Sequence, residues 1–286
     1  MTAYEVLATG LCFGEGPRWH AGELWFSDMY DHAVKSVDLD GRVTVRVQVD
    51  GQSSGLGWLP DGDLVVVSMV DRQLLRWTGE RLEHHADLSG VATFHCNDMV
   101  VDAVGRAYVG NFGFDLHTFV EARDPAMIRS ADLALVQPDG TVQCAATDLA
   151  FPNGTVITPD GRTLVVAETM GSRLTAFDIA GDGTLSNRRV WAELPRRRPD
   201  GICLDAEGAI WAANAAAAEC VRVAEGGQII DRIETDQPCF ACMLGGPDGT
   251  TLFMLTAPSS DPAEVVALRG GRVLVSEAPA AHAGRP

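Results

Sequence analysis

The chain has 286 residues, 46% of them hydrophobic, and a formal net charge of −17 at pH 7. That charge excludes a protein that tracks nucleic-acid phosphates, which demands a basic surface. No uninterrupted apolar run approaches the roughly 18 residues needed to cross a bilayer, so no membrane role is expected.

At the start of the chain, Glu5 and the segment 10–17 interrupt any signal-peptide pattern, and the expected location is cytoplasmic. Tyr4-Glu5-Val6-Leu7 reads as a strand able to close a ring of sheets beside the apolar runs Val265-Val266-Ala267-Leu268 and Val273-Leu274-Val275. From there a unit recurs. Turn glycines at Gly22, Gly62, Gly105, Gly161, Gly208 and Gly249 each open a short apolar run, such as Leu24-Trp25-Phe26 or Leu64-Val65-Val66-Val67, at intervals of 40, 43, 56, 47 and 41 residues. Several short strands at that period are the signature of propeller blades, and six glycines predict an all-β, six-bladed β-propeller in a single domain over residues 1–276. Pro60-Asp61-Gly62, Pro159-Asp160-Gly161 and Pro247-Asp248-Gly249 supply the turn chemistry. The 56-residue interval carries extra chain from Gly113 to Pro125, read as a partial lid on the binding face. The Ala- and Pro-rich tail 277–286 has no apolar pattern to pack and is expected to be disordered.

Glu15, Ser54, Asn97, Asn153 and Asp200 all stand seven or eight residues before a turn glycine, the sixth such position being Ala241. Equal positions in a radial repeat become equal positions around one axis, so these side chains should converge on a central channel. Glu15, Asn153 and Asp200 form an all-oxygen set of charge −2, suited to a hard divalent cation such as Ca²⁺, Mg²⁺ or Mn²⁺, with Zn²⁺ and Fe²⁺ also able to occupy it. Read singly, Asn153-Gly154 and Asp200-Gly201 are equally turn dipeptides. The seven cysteines are an odd set among apolar neighbours, expected as reduced thiols, and Cys239-x-x-Cys242 reads as a buried strand. Arg196-Arg197-Arg198 is either a solvated loop or a cationic rim for an acidic ligand. Gly51-Gln52-Ser53-Ser54-Gly55 fits the nucleophile-elbow pattern, but a strand and a turn follow where the elbow requires a helix, so Ser54 is read as a channel residue.

Gly14-Glu15-Gly16-Pro17-Arg18-Trp19, Asn97-Asp98 with Asp102 and Gly105-Arg106, Pro152-Asn153-Gly154 and Arg198-Pro199-Asp200-Gly201 resemble, in the same order and over nearly the whole chain, the regucalcin (senescence marker protein 30), gluconolactonase and luciferin-regenerating-enzyme family. The resemblance implies a six-bladed propeller that holds one divalent cation in its channel and hydrolyses sugar lactones through a polarised carbonyl and an activated water. It implies Glu15, Asn153 and Asp200 as ligands, Asn97 as a contact to metal-bound water and substrate, and Asp200 as the proton acceptor; because cation binding weakens a carboxylate as a base, Asp98 stands in reserve, though its side chain is expected to point away from the channel, opposite to Asn97. His95 and Asp115 stand where regucalcin has Arg and Glu, and are expected to contact substrate hydroxyls. Both offer less reach than the residues they replace, and Phe112, Phe114 and Phe119 are expected as an apolar wall beside them. Substrates less hydroxylated than gluconolactone are therefore expected to fit. The partner is a small-molecule lactone and the chain is expected as a monomer. A phosphotriester hydrolase on the same cation and a non-catalytic ligand-binding propeller are the rival readings.

Overall fold

The computed structural model describes residues 4–122 and 124–286 and forms six four-stranded antiparallel sheets arranged as the blades of a β-propeller. The inner strands are Gly14–His20, Ser53–Trp58, Cys96–Val101, Pro152–Ile157, Pro199–Leu204 and Cys239–Gly245. Each is joined to the next strand of its blade through one of the six turn glycines, all of which have φ between +70° and +94°, a region that costs any side-chain-bearing residue. Neighbouring blades bury their apolar faces on one another. One cluster, for example, joins Val156 and Val165 of the fourth blade to Ile202, Ile210 and Ala212 of the fifth.

The ring closes where the sequence places the closure. Glu5–Leu11 pairs antiparallel with Gly271–Glu277 and becomes the outer strand of the last blade. Val265-Val266-Ala267-Leu268, expected beside it as strand, belongs instead to the helix Pro262–Leu268, which Asp261 caps through Ala263 N at 2.8 Å. The long third-blade interval folds into the helix Leu116–Ala122 and a short 3₁₀ turn, Pro125–Met127; Arg123, part of the expected lid, lies outside the described residues.

The tail reverses its expectation. Residues 278–286 cross the end of the ring from the sixth blade to the fourth. Ala278 N donates to Thr250 O, Ala206 N to Ala281 O, Ala283 N to Leu204 O, and Arg285 and Ile157 exchange both backbone bonds at 2.7 and 2.8 Å. These bonds reach the exit ends of the inner strands, where Arg285 and Pro286 line a cavity with Trp19, Trp58 and Val101. Backbone groups alone can dock a segment that has little apolar pattern of its own, and composition is blind to them.

Among the described residues no helix is long and apolar enough to cross a membrane.

Candidate active site

Every inner strand is irregular at the same place. Pairing with the second strand shifts register between Glu15 and Arg18, Ser53 and Leu56, Cys96 and Met99, Pro152 and Thr155, Pro199 and Ile202, and Cys239 and Ala241. A bulge unpairs backbone and re-aims a side chain. Repeated six times around one axis, it turns the residues at the shared repeat position into the channel. Asn153-Gly154 and Asp200-Gly201 are thus strand, not turn. Gly154 is needed for proximity: a Cβ there would lie 2.5 Å from Asp200 O on the next inner strand.

Glu15, Asn97, Asn153 and Asp200 line one cavity of about 170 Å³ and are all buried. Glu15 follows a segment tied down by Asp28, whose carboxylate accepts from Phe13 N at 2.8 Å and from Lys35 Nζ at 2.7 Å. Asp200 follows a loop fixed by Asn214, which accepts from Arg198 N at 3.0 Å.

Neighbours set the two channel amides in opposite senses. Thr169 donates its hydroxyl to Pro199 O at 2.8 Å, so it can only accept from Asn153 Nδ2, at 3.1 Å. That leaves Asn153 Oδ1 buried and without a protein partner, as is Asp200 Oδ1. Ser54 instead donates to Asn97 Oδ1 at 3.4 Å, and the buried Asn97 Nδ2 is the unpartnered atom. Buried polar atoms in native proteins almost always find partners. Two orphaned oxygens beside the Glu15 carboxylate fit a hard cation, whereas an orphaned amide donor fits a substrate or water oxygen. The residues present therefore fit the divalent cation that the resemblance implies, with Glu15, Asn153 and Asp200 as its holders and Asn97 beside it.

Charge tells the same story. Burial pushes the carboxyl pKa of Glu15 well above its ordinary value, and the nearby charges of Asp200 and Asp98 push it further. Burial and the Asp98 charge raise that of Asp200, against the opposing pull of the Asn153 amide and Gly201 N–H. A cation held between these carboxyls would lower both values.

Other expected residues lie elsewhere. Asp98 does not line the cavity; its Oδ1 accepts from Arg18 Nη2 at 2.9 Å and from Met99 N at 2.8 Å. Arg18 was overlooked by sequence reasoning, and it bridges three inner strands below the site, also bonding Leu56 O and Met99 O. His95 stacks on Phe94 at 4.2 Å, and Asp115 caps its own helix through Thr118 N at 3.0 Å. Neither lines this cavity. Of the expected apolar wall, Phe112 lines the cavity while Phe114 and Phe119 pack behind it. Phe13, Phe151 and Phe240 complete the wall, joined by Leu116 and Val120 from the lid helix. Arg198 stands on the lining as the cationic rim, its Nη1 donating to Ser172 Oγ at 2.5 Å.

Thr169 yields a prediction of its own. Thr169→Val removes the acceptor that fixes Asn153, and groups that orient ligands commonly contribute 10–100-fold to metal affinity. Calorimetric titration of the metal-free protein should show divalent-cation affinity weakened by about that factor, with Thr169→Ser retaining most of it; an unchanged affinity in Thr169→Val would refute the role.

The sequence profile described as the SMP-30/Gluconolactonase/LRE-like region matches residues 13–258. Pentonolactonase XacC of Haloferax volcanii is 27% identical over 274 residues, covering 90% of this chain and 86% of its own. Regucalcin of Gallus gallus is 25% identical over 262 residues, covering 86% of each chain. Among solved structures, a luciferin-regenerating enzyme superposes with a TM-score of 0.82 over 99% of this chain and 98% of its own, at 19% identity. At that identity it bears on the fold alone.

Proposed function

The chain belongs to the SMP-30/gluconolactonase/LRE-like family, and on that premise we propose that it is a divalent-metal-dependent lactonase. The observation that carries the reading is the trio of orphaned atoms, two oxygens and one N–H, buried on one cavity, with the two amides set by Thr169 and Ser54. Lactone-hydrolysing relatives such as the pentonolactonase support the reaction class.

A divalent cation bound there would supply Lewis-acid polarisation of the lactone carbonyl and lower the pKa of an adjacent water. The chain's own residues do the rest. Asn97 Nδ2 donates to the carbonyl oxygen as it gains charge, a donor already in position before the reaction. Asp200 accepts the proton of the attacking water and returns it to the ring oxygen as the ester bond opens. The Phe walls and lid helix exclude bulk water from the bond being broken. Asp98, engaged by Arg18, takes no part in proton transfer.

The experiment is metal removal. Chelation should abolish lactone hydrolysis, and added Ca²⁺, Zn²⁺, Mn²⁺, Mg²⁺ or Fe²⁺ should restore it to differing extents; hydrolysis that persists without metal would overturn the reading. The metal-free protein should also lose stability as pH rises. Glu15 and Asp200 have raised folded-state pKa values, so their contribution is present below the ordinary carboxylate range and is lost as pH climbs through the raised values. The rise in Tm on adding metal should accordingly be larger at pH 8 than at pH 5.

A further inference from the structure

Building on the lactonase reading, we infer that the substrate class of this cavity is a monocyclic lactone bearing a short apolar side chain rather than a polyhydroxylated sugar lactone. Three observations converge on it.

The first is the wall. Phe13 and Phe240 pack at 4.6 Å between ring centroids, tilted by 54°, and Phe112 and Phe151 pack edge to face at 4.7 Å. Both pairs line the cavity together with Asn153 and Asp200. Phe114 backs Phe151 at 6.1 Å and Phe119 at 5.6 Å, so the wall is held from behind by a second aromatic layer.

The second is how little polar capacity the wall retains. Thr169 is bonded to both Asn153 and Pro199, and Tyr30 Oη reaches Ser260 O at 3.4 Å; Arg198, bonded to Ser172 through Nη1, keeps its other N–H donors at the rim. The floor carboxylates and amides are needed for the cation and the carbonyl. A sugar hydroxyl carried into this space leaves its water partners without replacement, which weakens transition-state binding by about tenfold or more per group. A methylene in the same position gains about fourfold.

The third is size. At about 170 Å³, the cavity is close to the roughly 150 Å³ apolar cavity that takes up benzene. It encloses one ring and a short chain, and a second ring would have to project from the mouth.

The test uses the metal-loaded protein and six-membered lactones, so that ring size is constant: δ-valerolactone, δ-hexalactone, δ-octalactone and glucono-δ-lactone. Each kcat/KM is divided by that lactone's uncatalysed hydrolysis rate. The expected result is a rise of about fourfold per side-chain methylene, with gluconolactone at least about tenfold below δ-octalactone. Phe112→Ala should lower the ratio of the δ-octalactone value to the gluconolactone value by about tenfold or more, the asymmetry expected when an apolar wall is removed. The wild-type series stands alone if that variant fails to fold. A wild-type preference for δ-octalactone smaller than about tenfold, or any preference for gluconolactone, overturns the substrate class while leaving the lactonase reading intact. Failure to hydrolyse any of the four with any divalent metal overturns both.

Discussion

Asp200→Ala is expected to lower kcat/KM for lactone hydrolysis by about 10³-fold or more, because it removes a general base, commonly contributing 10²–10⁴-fold, together with one of three cation-holding side chains. The fold should survive. Asp200 is buried beside Glu15 and Asp98, and burial and charge already disfavour its ionised form, so removing it relieves repulsion in the metal-free protein. Circular dichroism and thermal melting of the metal-free variant should show a Tm no lower than wild type. Asp98→Asn is the informative companion. If it lost as much activity as Asp200→Ala while binding metal normally, the proton acceptor would be Asp98, and Asp200 would serve the cation alone.

Arg18→Met should have the largest effect on stability, a loss of about 3–5 kcal/mol, the usual consequence of removing one partner from a buried ion pair. Arg18 is 5% exposed and Asp98 is 3% exposed. Without the guanidinium, Asp98 is left as an uncompensated charge next to two further carboxylates, and Leu56 O and Met99 O lose their donors. Urea unfolding at pH 7 measures the loss as a shift in midpoint at constant slope. The double variant Arg18→Met, Asp98→Leu should recover much of it, since apolar replacement of a whole buried pair is often neutral. A loss below about 1 kcal/mol in the single variant would place Arg18 among the weakly coupled surface pairs and refute its structural role.

The architecture was legible because turn chemistry repeats visibly. The six glycines mark the first hairpin of every blade, and the channel residues count back from them. What the count could not supply is which atom of each residue faces the axis. Asn97 and Asn153 hold the same repeat position, yet Ser54 and Thr169 set them in opposite senses, one presenting N–H and the other oxygen. Those neighbours come from other strands, and no local pattern encodes them. Asp98 follows alternation, turned away from the channel opposite Asn97, where Arg18 captures it, whereas His95, just before the strand, stacks on Phe94. A signal for the wall was nevertheless present. Phe13, Phe151 and Arg198 each stand two residues before a channel residue, and all three line the cavity. The tail was misread because its docking uses backbone groups, which composition does not register.

That tail, together with Arg18, borders a second cavity that shares no lining residue with the candidate site. Arg18 bonds across three inner strands, and it lines that cavity, of about 170 Å³, with Trp19, Trp58, Arg285 and Pro286. On the lactonase reading, the hydroxy-acid product would form within reach of the Arg198 guanidinium on the lining of the candidate site. An acid held by that charge would compete with the next lactone for the same space.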